Sequence, residues 1–250
     1  MERGVYAAAT GMIAQQAMQE VVAQNVSNST TVGYKQDIVT FRAMQNMMLR
    51  RQNGATDRGP EIGELGSGVN EDETTIDWTM GPISNTGNPL DVALEAGNFL
   101  TAQTGTQVLY TRAGNLKIDG NGILTTASGN PLLDINDKPI NVQGKTDVSI
   151  STRGDVTAGK QLIGTLKVVQ ANTRSMQKAG GIYYRPLDAN AIQVEKSPRL
   201  HTGSLEQSNA NVMQGLVRLI TVSRSFEMAQ RALTTQDELL KQAATEVGRV

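Results

Sequence analysis

The chain has 250 residues, of which 23 are basic and 24 acidic, and it contains no Cys. The balanced charge lacks the excess of Lys and Arg that binding to a phosphate backbone requires, so nucleic acid is not an expected partner. The absence of Cys excludes disulfides, thiolate metal sites and Cys nucleophiles. Hydrophobic residues make up 38% and aromatic residues 4%. We therefore expect part of the chain to be stabilised by neighbouring subunits rather than by its own core.

The sequence predicts neither a secretory signal nor a membrane span. The start, residues 1–6, leads into no apolar core of the ~7–15 residues typical of a signal peptide. No stretch approaches the roughly 20 apolar residues of a membrane-spanning helix. Export would therefore require another route.

A long helix is predicted near the C-terminus, where residues 205–247 contain no Pro and one internal Gly, Gly215. Apolar residues recur there at steps of three and four, and Gln236 fills the one gap in this seam. Such a narrow seam is typical of coiled coils and predicts a partner helix. An ordinary amphipathic helix on a globular core is the alternative. The seam consists of Val212, Leu216, Leu219, Val222, Phe226, Ala229, Leu233, Leu240, Ala243 and Val247.

A second helix is predicted over residues 4–26, with a weaker apolar face that Gln15 and Gln19 interrupt. This face suits packing among several helices more than a dry two-helix core. We expect the helix to end within residues 27–33, where polar side chains compete for backbone hydrogen bonds and Gly33 can take a positive φ. The apolar face consists of Val5, Ala8, Met12, Val22 and Val26.

Residues 36–73 are predicted to be an extended connector. Residues 36–51 fit either helix or extended chain, whereas Gly and charged residues dominate 52–70. Turn signals recur from there to residue 204. Residues 104–106 and 119–122 read as hairpin loops, and further strands are predicted at 147–150 and 162–169.

These elements predict an α+β fold. The terminal segments, 1–35 and 205–250, are expected to pair as a coiled-coil-like inner domain, with an all-β domain inserted at 74–204. The pairing is expected to be completed by neighbouring subunits, because the N-terminal apolar face is incomplete.

Sites for catalysis, cofactors or metals are not indicated. His201 is the only His, and a lone surface His is the better interpretation. Ser175 and Lys178 match the Ser-x-x-Lys spacing of acylating enzymes, but the companion motifs are missing. The turn that begins at Asp119 resembles the start of a calcium loop, yet Ile123 and Leu124 occupy positions where a ligand and a Gly are needed. We predict that the chain is not an enzyme.

Residues 21–35 resemble the N-terminal signature of the bacterial flagellar rod and hook proteins. That signature is a helix ending in Asn-(aliphatic)-(small)-Asn, followed by Thr-x-Gly-(aromatic)-Lys. Residues 88–100, 110–116, 203–212 and 224–227 are similar to the family's β-domain opening and C-terminal block, and Ala210 stands where Val is usual. The first signature is filled by Asn25, Val26, Ser27, Asn28, Thr31, Gly33, Tyr34 and Lys35, with Tyr34 where Phe is commoner.

The resemblance implies a structural subunit of the flagellar basal-body rod in the periplasm. Family members are exported unfolded by the flagellum's own type III export apparatus and stack helically into a rod that transmits torque. Copies of the chain and other rod and hook proteins are the implied partners. Within the family, residues 3–12 resemble subunits of the proximal rod more than those of the distal rod, which are the near alternative.

The residues expected to serve assembly come from both ends of the chain. They are Asn25, Asn28, Thr31, Gly33, Tyr34, Lys35, Ser208, Asn209, Asn211, Leu216, Leu219, Phe226, Leu233 and Leu240.

Two further hypotheses come from other functional classes. A hydrolytic, for example peptidoglycan-cutting, enzyme would need a carboxylate pair, for which Asp91 and Glu95 are the candidates, or a site at Ser175. A soluble adaptor would use its helical ends to bind other coiled-coil proteins.

Overall fold

A computed structural model describes residues 2–52, 58–145 and 147–247. The chain divides into two compact units. The helical unit comprises Met1–Val26, Asp37–Thr75 and Val212–Val250, and the β unit comprises Ser27–Gln36 and Ile76–Asn211. The fold is mixed α+β with one helix near each terminus, as the sequence predicted.

The helical unit is built from both terminal helices and four strands. The first helix stops where the sequence predicted, since Ser27 is followed by a turn in which Gly33 has a φ of +70°. Strand β1 pairs with β4, and β2 pairs antiparallel with β3. The elements are α1 (Glu2–Ser27), β1 (Asp37–Ala43), β2 (Met47–Gln52), β3 (Arg58–Leu65), β4 (Val69–Ile76) and α2 (Val212–Val247).

The two helices contact each other in antiparallel order. A methyl group on Gly215 would overlap the side chain of Val26, and a methyl group on Gly4 would lie 2.7 Å from Nε2 of Gln236. The start of α1 therefore faces the later part of α2, and the end of α1 faces the beginning of α2. Glycine at these two places lets the helix backbones approach closely.

One stripe of α2 is covered, and we call it the inner stripe. Its members are spaced by alternating steps of four and three residues, as the sequence predicted for most of the helix. Val212 and Leu216, which the predicted seam included, are instead 43% and 45% exposed. Gly215 takes the covered position there, because it is the residue that faces Val26. The inner stripe is Gly215, Leu219, Val222, Phe226, Ala229, Leu233, Gln236, Leu240 and Ala243.

Four paired strands, β1 to β4, lie in the described part of 37–76, where the sequence predicted a connector. Residues 36–51, which fitted either helix or extended chain, contain strand β1 and most of strand β2. Hydrogen-bonded pairing with later strands satisfies the backbone of this segment, which has few apolar side chains to bury. Of the predicted connector, residues 53–57 lie outside the described residues.

The β unit contains short antiparallel strands. Its largest sheet has six strands in the order β15-β16-β8-β7-β14-β17, and a three-stranded sheet has the order β11-β12-β13. The strands are β5 (Ile83–Asn85), β6 (Val92–Leu94), β7 (Asn98–Thr104), β8 (Gln107–Thr111), β9 (Leu116–Ile118), β10 (Leu124–Thr126), β11 (Val148–Ile150), β12 (Asp155–Ala158), β13 (Gln161–Thr165), β14 (Val168–Ala171), β15 (Met176–Gly180), β16 (Tyr183–Pro186), β17 (Ile192–Val194), β18 (Leu200–Thr202) and β19 (Ser204–Glu206).

Both predicted hairpins are present, as β7–β8 and β9–β10. The strand predicted at 162–169 is wrong in one respect, because it is divided between β13 and β14, which belong to different sheets. One apolar cluster, which includes Leu100, Leu124 and Val156, fills the interior. A smaller cluster surrounds Phe99 and Tyr184, and Trp78 packs against it.

The two units differ from the predicted domains in three places. Residues 37–75, most of which were predicted as a connector, belong to the helical unit. Residues 27–36 and 205–211 belong to the β unit, although 27–35 and 205–211 were assigned to the terminal helical domain. The physical reason is that these two short segments bond to each other within the β unit, as described next.

Candidate assembly site

Asn25 and Asn28, the two Asn residues of the signature, fix the backbone where α1 ends. In the helical unit, Asn25 Nδ2 donates to the Asp37 carbonyl at 2.7 Å, and Asn25 Oδ1 accepts from the Asp37 N–H at 2.9 Å. In the β unit, Asn28 and Thr31 close a turn through the Thr31 N–H and hydroxyl, both of which donate to Asn28. An amide side chain that pairs with both backbone groups of one residue fixes that residue's position.

Gly33 and Tyr34 are enclosed by the β unit. Gly33 has a φ of +70°, and a methyl group there would lie 2.5 Å from the backbone of Arg112 and Ala113. Only Gly suits a left-handed conformation at so close an approach. The Tyr34 side chain is fully buried, and the Lys178 ammonium lies 4.2 Å from the centre of its ring.

Lys35, Arg112 and Glu206 form a buried ion-pair network in the β unit. The Lys35 ammonium donates to Glu206 Oε1 at 2.6 Å, and the Arg112 guanidinium donates to Glu206 Oε2 at 2.8 Å from Nε and 2.6 Å from Nη2. The three side chains are 1%, 2% and 0% exposed. Glu206 Oε1 also accepts from the Gly81 N–H at 3.0 Å. Each carboxylate oxygen thus has two or more donors.

Main-chain carbonyls complete the network. Lys35 Nζ donates to the Thr79 carbonyl at 2.5 Å. The Arg112 guanidinium donates to the carbonyls of Leu94, Glu95 and Asn98 at 2.7–3.2 Å. Burial lowers the pKa of the Lys35 ammonium below its usual value, although the hydrogen bond to Glu206 opposes this. Buried charges with so many partners fix one arrangement of the segments that carry them.

Asn209 joins the same two segments at a second point. Its Oδ1 accepts from the Gln36 N–H at 2.8 Å, and its Nδ2 donates to the carbonyls of Asp77 and Thr79 at 2.9 and 3.2 Å. The Ser208 hydroxyl accepts from the Ala210 N–H at 3.1 Å, which closes a turn before α2. Asn211 is exposed.

The predicted α2 residues separate into two groups. Leu219, Phe226, Leu233 and Leu240 lie half-buried on the inner stripe, whereas Leu216 is exposed. The structure therefore brings Gly33, Tyr34, Lys35 and Asn209 together within the β unit and leaves the α2 residues on the helical unit. The assembly role of all these residues stays a prediction, since one chain contains only their intramolecular contacts.

Arg112 and Glu206 are members of the buried network that sequence reasoning missed. Both lie inside blocks that carry the family resemblance, but neither was predicted as a site residue. A charged side chain between small and apolar neighbours, as at Arg112, is a sequence signal for burial with a partner. The partner itself lies 94 positions away, and no local pattern indicates it.

The residues considered for catalysis have structural contacts. Asp91 is 7% exposed and accepts hydrogen bonds from Thr86 at 2.7 Å and Asn88 at 3.0 Å. Lys178 donates to the Lys35 carbonyl at 2.8 Å, and Ser175 ends a short 3-10 helix. Among the described residues, no group of three or more His, Asp or Glu side chains is placed to hold a metal ion. No helix in the described ranges has the length and apolar character of a membrane span.

Comparison with known proteins identifies the family. A model described as flagella basal body rod protein matches residues 5–35, the D1 domain model of flagellar hook protein FlgE/F/G matches 94–158, and the C-terminal model of flagellar basal body rod FlgEFG protein matches 201–246. The flagellar basal-body rod protein FlgG of Bacillus subtilis (strain 168) is 30% identical over 260 aligned residues, covering 97% of this chain and 98% of the relative. The chain belongs to the flagellar basal-body rod protein family. It is a structural rod subunit of the flagellar basal body.

Other relatives carry both rod names. The flagellar hook-basal body complex protein FlhO of Bacillus subtilis is 30% identical, and the FlgF of Caulobacter vibrioides is 25% identical, each over the whole length of both chains. This rod-family chain is thus similar to FlgG and FlgF proteins alike. The N-terminal family model ends at Lys35 and the C-terminal one includes Glu206, so the matched segments carry both members of the buried ion pair.

Proposed function

We propose that this rod subunit assembles through its terminal helices, which form an inner layer completed by neighbouring subunits. The observation that carries the proposal is a second apolar face on α2. Met213, Val217 and Ile220 are 72%, 60% and 55% exposed, and at 100° per residue they lie opposite the inner stripe. Leu216, 45% exposed, lies beside this outer face.

A helix with apolar residues on two opposite sides is suited to burial between two partners. The inner stripe of α2 faces α1, so the outer face is available to a second helix. Tyr6 and Ile13 of α1 are also exposed, at 54% and 68%. Contiguous apolar side chains in water favour association, because burying them removes apolar area from solvent. We propose that neighbouring copies cover them in a coiled-coil-like arrangement.

The contact between copies is proposed to be heterologous, with different surfaces meeting, so that the stack remains open. The buried ion pairs of the β unit are proposed to keep that unit rigid under load. Torque transmission requires such stiffness. Export through the type III apparatus in an unfolded state is also proposed, since the chain contains no Cys that could form a disulfide beforehand. We further propose that the chain has no catalytic activity, because Asp91 and Lys178 are occupied by structural contacts.

The test is a substitution pair on the outer face. Val217→Gln together with Ile220→Gln removes apolar area from the outer face and leaves the inner stripe intact. We expect the variant to be absent from isolated basal bodies and to give no swimming in a strain that lacks the native gene. Arg218→Gln with Arg231→Gln, at two exposed polar positions of the same helix, is the control and should behave as wild type. Normal incorporation of the outer-face variant would overturn the proposal.

The place along the rod is tested separately. The start of the chain resembles proximal subunits, while the FlgG of Bacillus subtilis is 30% identical and the FlgF of Caulobacter vibrioides 25% identical. We retain the proximal position as the prediction. Labelled antibody on isolated basal bodies should then bind near the inner end of the rod, and labelling near the hook would favour the distal position.

A further inference from the structure

Charge is distributed unevenly along the chain. Residues 59–111 contain eight acidic residues and no Lys or Arg, whereas residues 112–200 contain twelve Lys or Arg and seven acidic residues. The formal net charge of −1 does not reveal that acidic and basic residues are concentrated in different segments. Two surfaces of opposite sign on one chain are suited to a head-to-tail contact between copies, because such a contact joins two different surfaces.

The positive surface is a groove of about 1020 Å³ in the β unit. Arg153, Lys196 and Arg199 line it and are all exposed. In the described part of the chain, no carboxylate lies within ion-pair distance of any of the three. The exposed apolar side chains of Ile135 and Val194 also line the groove. We call this surface the basic groove.

The two carboxylates of the basic groove are already engaged. Asp155 accepts hydrogen bonds from Thr165 at 2.9 Å and Ser151 at 3.3 Å, and Glu195 accepts from the Ser197 N–H at 3.1 Å. Both carboxylates are only partly exposed, whereas the three cations extend to the surface. The groove therefore presents a net positive charge to a ligand.

One wall of the basic groove is an open strand edge. Strand β17 is the last strand of the six-stranded sheet, and Val194 lies in it. The Glu195 N–H donates to Val168 on β14, so the backbone groups of the preceding residue, Val194, point away from that sheet. An extended segment placed there could add to the sheet by main-chain hydrogen bonds.

The negative surface is strand β4 of the helical unit. Glu71 and Glu73 are exposed and lie on the same face of the strand, because side chains alternate along it. Asp72, on the opposite face, pairs with Arg42 at 2.9 Å. Neither Glu71 nor Glu73 has a cation within ion-pair distance among the described residues. Strand β4 lies in a two-stranded sheet with β1, so one of its edges pairs with no other strand of the described residues.

We infer that the basic groove of one copy binds strand β4 of a second copy. The pairing of Glu71 and Glu73 with the three cations would set the register, and Ile135 and Val194 would be covered by the bound strand. This inference rests on the proposed function, because it supplies the heterologous contact of the stack.

The experiment exchanges the charges. Variant A carries Arg153→Glu, Lys196→Glu and Arg199→Glu, and variant B carries Glu71→Lys and Glu73→Lys. Each places like charges opposite each other in a homogeneous stack, which destabilises the contact. Asp72 is left unchanged so that its pair with Arg42 persists. A charge-matched control carries Lys138→Glu, Lys160→Glu and Arg185→Glu, at exposed positions outside the groove.

We expect A and B separately to reduce swimming and basal-body content at least tenfold, and the control to retain both. Cells that express A and B together should recover, because the groove of each variant then meets a complementary strand from the other. Recovery in the mixture also shows that both variants fold and that the contact is between copies. Wild-type behaviour of A or B alone, or no recovery in the mixture, would overturn the inference.

A cross-link gives a second readout. The chain has no Cys, so Thr75→Cys and Ser197→Cys introduce the only two thiols. A short bis-maleimide should produce species of twice the chain mass and above from basal bodies of this double variant, and from neither single variant. Absence of such species would count against the inference. If the wild-type chain itself were missing from basal bodies, the proposed function would fail; if it and variant A were equally present, only the contact would fail.

Discussion

The Lys35 ammonium and the Glu206 carboxylate lie 2.6 Å apart in the interior of the β unit, although 171 positions separate them in the sequence. Lys35 follows α1 closely, and Glu206 precedes α2. The ion pair therefore ties together the two short segments that lead to the terminal helices. The fold of the β unit therefore depends on a contact between a residue that precedes its strands in the sequence and a residue at their end.

Removing Lys35 is expected to destabilise the β unit strongly. In Lys35→Met the buried Glu206 carboxylate loses one of its two cations, and breaking a buried pair costs about 3–5 kcal/mol. The measurement is urea unfolding followed by fluorescence of Trp78, the single Trp, which packs against Phe99 and Tyr184 in the β unit. Lys160→Met, at an exposed cation, should change the unfolding free energy by less than about 0.5 kcal/mol. Equal effects of the two substitutions would refute a structural role for the pair.

Gly33→Ala is expected to be more destabilising than Gly105→Ala. Both residues have positive φ, at +70° and +60°, so each Ala bears a conformational cost of roughly 1–2 kcal/mol. A methyl group on Gly33 would also meet the backbone of Arg112 and Ala113 at 2.5 Å, whereas one on Gly105 meets nothing within 4 Å. Each substitution lowers the free energy of unfolding, and the difference between the two losses measures the cost of the close approach at Gly33. Equal losses of unfolding free energy would mean that the backbone around Gly33 shifts to accommodate the added methyl group without a further cost.

The sequence predicted the parts of the fold that local patterns encode. The α2 inner stripe was found from Leu219 onward because steps of three and four residues describe a helix face directly. The β7–β8 and β9–β10 hairpins were found because Gly-containing turns separate short strand patterns. At Val212 and Leu216 the prediction was wrong, since these apolar residues continue the spacing while Gly215 occupies the covered position.

Long-range pairing could not be predicted in this way. The sequence of β1 and β2 fits either helix or extended chain and that of β4 is mostly polar, so hydrogen bonding between segments decides their structure. The network of Lys35, Arg112 and Glu206 joins three distant segments, so its members became evident only in the folded β unit. The motif residues Gly33–Lys35 were found through the family resemblance, but their burial was not.

Stability should depend on pH through Asp77. Burial alone raises the pKa of this carboxyl, but hydrogen bonds from the Gln36 side chain at 2.8 Å and the Thr79 N–H at 3.0 Å outweigh it and hold the pKa below its usual value. A carboxyl whose pKa is lower in the folded state stabilises the fold above its unfolded pKa of about 4, and this contribution is lost as the pH falls through the folded value. Wild type should therefore exceed Asp77→Asn in urea midpoint at pH 6, and the gap should close towards pH 2.

Gln36→Ala gives the matching check. It removes the strongest of the hydrogen bonds that lower the pKa of Asp77, so its stability should fall less steeply with acid than that of wild type. A gap between wild type and Asp77→Asn that stays constant from pH 6 to pH 2 would exclude the linkage.

The contact between Gly215 and Val26 should appear as coupling between the two helices. Replacing Gly by Ala inside a helix normally stabilises it by about 1 kcal/mol. Gly215→Ala should lose this gain, because the added methyl group overlaps the Val26 side chain. In a Val26→Ala background the overlap is absent, and Gly215→Ala should stabilise α2. The measurement is thermal unfolding followed by circular dichroism at 222 nm, with a coupling energy of roughly 0.5–3 kcal/mol between the sites.

Gly11→Ala is the matched control, since a methyl group on this α1 glycine meets nothing within 4 Å. It should stabilise the protein by the same amount whether residue 26 is Val or Ala. If Gly215→Ala behaved like Gly11→Ala in both backgrounds, α1 and α2 would not be in contact at Gly215 in solution. Non-additivity confined to Gly215 would instead establish the antiparallel contact in the isolated chain, before any neighbouring subunit covers the outer face of α2.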